Sequence, residues 1–212
     1  MKVTLITRAL LLLCISNLAF TGWHVFSKLR KRLGKRQGYS YVGSDYPSEL
    51  PIRPLPLVEI QLQESVQLPL VGQGADEAWM TLTTYPPGKG WVRLGPDRRL
   101  FAVVMFHQLH CLRMIQRAFV NKTDPIAGPH HVQHCLNYLR QHFLCEAADD
   151  LEEGDFMTRD YERDRMGSTL VCEDWTKVYE FAEKNFEEWK AWASERGICT
   201  IADGEWGDGI CR

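Results

Sequence analysis

The chain has 212 residues, 45% of them hydrophobic and 25% charged, with a formal net charge of −2. A chain of that length and apolar content can bury an ordinary core, which excludes wholesale disorder. The nearly balanced charge argues against a nucleic-acid partner.

Residues Ala9 to Phe26 are apolar apart from Ser16, Asn17, Thr21 and His24. Such a run is near the lower length limit of a membrane-spanning helix and the upper limit of a signal peptide. Residues 1–36 are therefore expected to be an N-terminal membrane anchor or signal segment with a basic flank. Lys2 and Arg8 precede the run, whereas Lys28, Arg30, Lys31, Arg32, Lys35 and Arg36 follow it, a bias that alone would leave the rest of the chain cytoplasmic. Two features oppose it. Asn121-Lys122-Thr123 is a glycosylation sequon, which has meaning only on the lumenal side. Leaving out Cys14, the cysteines at 111, 135, 145, 172, 199 and 211 form an even set, which suits an oxidising compartment. The expectation is a single-pass membrane protein with a lumenal domain, glycosylated at Asn121. Lys35-Arg36 is readable as a processing site, but a solvated juxtamembrane pair is preferred.

Residues 37–70 contain Pro47, Pro51, Pro54, Pro56 and Pro69. Proline disfavours helix, so the stretch reads as a linker, with the alternative that Ile52, Leu55, Leu57, Val58, Ile60 and Leu62 lie along the domain surface. The domain is then 71–212. Asp76 is placed to cap a short helix over 76–80. The run Tyr85 to Gly90 breaks it, Trp91 to Leu94 alternates like a brief strand, and Gly95-Pro96-Asp97 makes a turn.

From Leu100 to Val120 a helical period puts Phe106, Leu109, Leu112, Ile115 and Phe119 on one buried stripe. Lys122 to Pro129 is turn chemistry, and Pro129 suits the first turn of a second helix whose stripe is Val132, Cys135, Leu136, Leu139 and Phe143. The short connection predicts antiparallel neighbours. Acidic residues from Glu146 to Asp155 read as a solvated helix end, and 156–169 as loop. Asp174 to Arg196 is a further helix, with Trp175, Val178, Phe181, Ala182, Phe186, Trp189 and Ala193 at helical spacing. A disulfide between Cys199 and Cys211 is the simplest account of the tail. The fold class expected is mainly α: a small helical domain built on an antiparallel helix pair, with minor β and a membrane-anchored N-terminus.

The two central helices carry the chemistry. His107-Gln108-Leu109-His110-Cys111 and His131-Val132-Gln133-His134-Cys135 both read H-x-x-H-C, within 29 residues of each other. Positions i, i+3 and i+4 share a helix face, so each copy presents two imidazoles and a thiol together. Histidine is the commonest transition-metal ligand near neutral pH, and a thiolate adds a soft donor. His107, His110, His131 and His134 could hold one ion or two. Cys111 and Cys135 are either ligands or disulfide partners. Zinc would bring Lewis acidity or a purely structural site, whereas copper or iron would permit oxygen chemistry. His130 and His142 break the repeat and read as ordinary polar residues. Tyr138, one turn from His134, reads first as a packed tyrosine.

At these residues the chain resembles the UstYa family of fungal secondary-metabolite tailoring oxidases, which is marked by an N-terminal membrane segment and paired H-x-x-H-C motifs. The resemblance extends over about 70–180 and includes Ala75-Asp76-Glu77-Ala78-Trp79, Phe106 to Leu112, His134-Cys135-Leu136, Leu139-Arg140-Gln141, Cys145 to Asp149 and Cys172-Glu173-Asp174-Trp175. Val171 departs from a polar pair common before that cysteine. The resemblance implies oxidative tailoring, such as cyclisation or hydroxylation, of a peptide or peptide-derived substrate. It makes His107, His110, Cys111, His131, His134 and Cys135 the catalytic motif residues. It also implies copper in preference to iron or zinc, dioxygen as oxidant, and a second UstYa-like protein as partner. The competing expectations are a non-catalytic membrane-anchored partner that scaffolds a related oxidase, and a zinc- or disulfide-stabilised binding module.

Overall fold

The computed structural model describes residues 5–34, 38–152, 154, 157, 158, 160, 163 and 165–198. The expected Lys35-Arg36 pair and the Cys199–Cys211 disulfide lie outside these. The chain divides into two units, Met1–Tyr46 and Pro47–Arg212.

In the first unit, α1 spans Leu5–Gly34. Its stretch Leu10–Ser27 has a mean hydropathy of 1.5, and none of it is buried. At 1.5 Å per residue it is about 27 Å long, close to the apolar thickness of a bilayer. This helix is long and apolar enough to cross a membrane.

The second unit is mainly helical with two small sheets. Strand β1, Leu57–Gln63, pairs antiparallel with β4, Met166–Glu173, placing Val58 opposite Cys172 and Ile60 opposite Leu170. The stretch read as a linker thus supplies a strand, because Pro54 and Pro56 stop just short of it and leave seven residues able to donate to a ladder. Residues 166–169, read as loop, are strand too. Their partner lies more than a hundred positions upstream in sequence, so no local signal announces the pairing.

Helix α2, Ala75–Thr84, begins behind Gly74, which takes the left-handed conformation at φ 77°. Asp76 is therefore not the cap. It sits in the first turn and pairs with Arg113 instead. Strands β2, Trp91–Leu94, and β3, Arg99–Ala102, form a hairpin with Trp91 opposite Ala102. Leu100 to Ala102 was expected to be helical, but the tight turn at Gly95 (φ 80°) returns these residues against β2. Helix α3 then runs Val104–Val120, α4 runs Pro129–Glu146, and α5 runs Thr176–Glu195.

Two apolar clusters hold these elements. Between α3 and α4 lie Cys111, Met114, Ala127, Cys135 and Leu139, flanked by Ile115, Ala118 and Tyr138. Val92, Phe106 and Ala182 form the second, with Leu109, Val178, Tyr179 and Phe181 packed around them. Asn185 ties α5 to β2: its Oδ1 accepts from the Arg93 amide at 2.6 Å and its Nδ2 donates to the Arg93 carbonyl at 2.9 Å. Gly90 has φ 73°, and a Cβ there would fall 2.1 Å from the Phe106 ring. Glycine is what lets the β2 approach lie flat on the start of α3.

The helical stripes differ from expectation. Leu112, Phe119, Leu136 and Phe143 are exposed, Phe119 by 71%. Buried in their place on α3 are Arg113 and Gln116, which face α2 and the segment before it: Arg113 bonds Asp76 and Gln116, and Gln116 donates to the Leu70 carbonyl at 3.0 Å. A helix packed against two neighbours buries more than one narrow face, and its second face here is polar and internally paired.

Candidate metal and substrate site

Helices α3 and α4 bring the imidazoles of both motifs together. Ring centroids are 5.4 Å apart for His110 and His131, 5.6 Å for His107 and His134, 6.3 Å for His107 and His110, and 6.5 Å for His131 and His134. The four rings make a closed quadrilateral. Tyr138 stacks beside it, 4.1 Å from His107 and 4.4 Å from His142. His142 thus joins the edge of the group, although it lies outside the repeat. His130 is exposed in the first turn of α4.

The thiols take the other face. Cys111 and Cys135 are both fully buried in the α3–α4 cluster. Both are free thiols, and a hydrogen bond joins their side chains. Burial, helped by that contact, pushes Cys111 up to about 12, and burial raises Cys135 as well. Ligation needs the thiolate, so a metal binding at either sulfur would have to displace its proton.

Burial also lowers the pKa of His107 and His110, with the neighbouring imidazoles adding to the effect. Both rings are therefore neutral near pH 7, with a lone pair to offer. His110 Nε2 and His131 Nε2 are 3.4 Å apart. Two ligands about 2.0–2.1 Å from a tetrahedral ion are separated by about 3.4 Å, so this pair has the spacing that an imidazole-bound cation requires. Among the described residues, no group of three or more His, Cys, Asp or Glu converges as a ligand set. The fit is thus to two nitrogens as placed, with His107 and His134 next to them.

The quadrilateral opens onto a cavity of about 710 Å³, whose wall includes His107, His110 and His131. Met80, Trp91, Phe106 and Met114 make it largely apolar; its charged lining is Lys89, the paired Arg113 and Asp76, and Arg117, which pairs with Asp124. That is the size and character of a small-molecule pocket.

Sequence reasoning missed the polar frame of this site. Asp124 accepts from the Ile126 and Ala127 amides, both at 2.8 Å, and from Arg117 Nε and Nη2 at 3.0 and 2.7 Å. The Ala127 amide first, and then Arg117, hold its carboxyl down at about 2. The Asp-Pro pair at 124–125 signalled only a turn. At the neighbouring sequon, Asn121 is exposed and its Oδ1 accepts from the Thr123 amide at 3.0 Å and the Thr123 hydroxyl at 2.8 Å.

With this geometry in hand, comparison with known proteins is informative. Residues 94–196 match the family model described as "Mycotoxin biosynthesis protein UstYa". The chain is 30% identical to UstYa family oxidase phomYb of Diaporthe leptostromiformis over 132 residues, 54% of this chain and 51% of the relative. It is 29% identical to oxidase ustYa of Aspergillus flavus over 107 residues, 49% of each. With chlorinase cctP2 of Talaromyces islandicus it shares 30% identity over 101 residues, 44% of this chain and 27% of the relative. The chain spans about half the length of the first of these curated relatives, and no solved structure matches it. The matched region begins at the end of β2 and covers both motifs and α5, and over that region, just under half of its length, the chain is similar to the UstYa family.

Proposed function

We propose that this protein is a UstYa-type oxidase of secondary metabolism that oxidatively tailors a peptide or peptide-derived substrate at the imidazole cluster. The observation that carries this reading is the meeting of the two motifs' rings at the wall of the cavity. The opposed order of the ring pairs, His107 with His134 and His110 with His131, supports an antiparallel α3–α4 pair. His110 and His131 would hold the metal, with His107 and His134 completing its ligands. Copper is favoured over iron or zinc, because imidazole suits it and zinc cannot change oxidation state. Bound there, copper would supply the electron transfer by which dioxygen removes hydrogen from a C–H, O–H or N–H bond. The chain's own residues do the rest. His107 and His110 stay neutral through burial, the apolar wall excludes water from the substrate, and Tyr138 is within ring contact of His107 for a proton to pass.

An N-terminal anchor with a lumenal, Asn121-glycosylated domain completes the proposal, supported by the apolar α1 stretch and the exposed sequon. A second UstYa-like protein is the proposed partner. A second reading has one observation in its favour: since among the described residues no group of three or more ligands converges, a non-catalytic scaffold for a related oxidase would fit as well. Metal analysis of the purified full chain decides between them. Copper at one or two ions per chain, lost in His110→Ala and His131→Ala, supports the oxidase. A chain that takes up no metal supports the scaffold, and zinc alone would leave a binding module.

A further inference from the structure

The geometry points to Asp124 as a positioning residue that acts through the 126–127 peptide unit to keep the proton of His131 on Nδ1 and to aim its bare Nε2 at His110. This deepens the reading of the imidazole cluster and rests on it. The chain of contacts is continuous. His131 Nδ1 lies 3.0 Å from the Ile126 carbonyl oxygen. A carbonyl only accepts, so Nδ1 carries the hydrogen, and a neutral imidazole then has its lone pair on Nε2. That Nε2 is the atom 3.4 Å from His110 Nε2.

The carbonyl is itself held. A peptide group is planar, with its C=O and N–H pointing in opposite directions. The unit whose carbonyl faces His131 has the Ala127 amide as its other end, and that amide donates to Asp124 Oδ1 at 2.8 Å. The same oxygen takes the Ile126 amide at 2.8 Å, and Oδ2 takes both bonds from Arg117. These four bonds saturate the carboxylate. The Asp124 side chain is only 10% exposed, and its own amide donates to the Asn121 carbonyl at 3.1 Å. Arg117 belongs to α3 and His131 to α4. The network therefore links the helix that carries His110 to the tautomer of the ring opposite. Partners of this outer kind orient a ligating histidine, and their loss typically lowers metal affinity by about 10–100-fold.

The test uses the full-length protein in detergent, labelled with ¹⁵N-histidine and free of metal, and reads the two ring nitrogens of His131 by long-range proton–nitrogen correlation. A His131→Gln sample assigns the signal. The key variant is Asp124→Asn, which keeps the size of the side chain. Whichever way its amide turns, it sets a donor against donors, either the two backbone amides or Arg117. The expected result is a protonated Nδ1 and bare Nε2 in the parent and a mixture of tautomers in Asp124→Asn, with His130 and His24 unmoved. Arg117→Gln, which loosens the carboxylate without removing it, should shift the mixture in the same direction by less, and Zn²⁺ affinity should fall by about 10–100-fold in Asp124→Asn. A His131 that is Nε2-protonated in the parent, or an unchanged tautomer in either variant that keeps its helical circular dichroism, overturns the proposal. A merely structural Asp124 would lower thermal stability and leave the tautomer alone. Because the tautomer is read without metal, failure of this relay is separate from failure of the metal site, which His110→Ala tests by itself.

Discussion

Each H-x-x-H-C repeat splits into two parts that live in different surroundings. The imidazoles of His107, His110 and His131 line the cavity wall, whereas Cys111 and Cys135, adjacent in sequence to His110 and His134, are fully buried between the helices. A helix rotates by about 100° per residue, so one step along the chain suffices to move a side chain from the site into the core. The contrast teaches that one short motif can face two environments: its histidines group at the cavity, and its cysteines pack between the two helices.

The split is breakable at several points. The largest effect is expected at the donors: His110→Ala or His131→Ala should lower copper affinity by more than the roughly 10–100-fold that an outer partner costs, with helix content by circular dichroism unchanged. Next comes the core side. Leu139 is 6% exposed and Phe143 is 60% exposed on the same helix. Leu139→Ala should cost about 2–5 kcal/mol in urea unfolding, and Phe143→Ala within about 0.5 kcal/mol. Equal costs would mean that α4 is rotated from the orientation described. The cysteines sharpen the comparison: Cys111→Ser or Cys135→Ser buries a hydroxyl in an apolar cluster and should destabilise by about 1–3 kcal/mol while leaving metal stoichiometry intact. A variant that keeps its stability but loses the metal would make the thiol a ligand after all.

The smallest effect concerns pH. Asp124 has a folded pKa of about 2, below its ordinary 3.8. Its contribution to stability is therefore fully present above about pH 4 and is lost as the pH falls towards 2, because the unfolded chain then binds the extra proton first. The stability difference between the parent and Asp124→Asn should be constant from pH 7 to 5 and shrink below 4 in urea titrations. A difference that grows on acidification would contradict the bonding described.

Much of this was legible in the sequence, and the exceptions have physical reasons. The α3 and α4 helices and the duplicated motif follow from local periodicity and from Pro129, which stands at the first turn of α4. What local pattern cannot supply is the second neighbour of a helix. Leu112 and Phe119 look like core by spacing, yet the polar Arg113 and Gln116 are buried because α2 and Leu70 lie against them. The β1–β4 pairing was equally hidden, since each strand is short and its partner is distant in sequence. The spacing leaves the cysteines open between ligand and disulfide, and what it does not show is their burial in the α3–α4 cluster. Asp124 read as turn chemistry, because nothing in a single sequence shows that the peptide it holds faces His131.

X-ray absorption on the copper-loaded full chain tests the central claim most directly, since it separates nitrogen from sulfur in the metal's inner shell. The account predicts imidazole nitrogens at about 2.0 Å and no sulfur at about 2.3 Å, unchanged in Cys111→Ser and lost in His131→Ala. A sulfur neighbour, or a copper shell indifferent to His131, would contradict it.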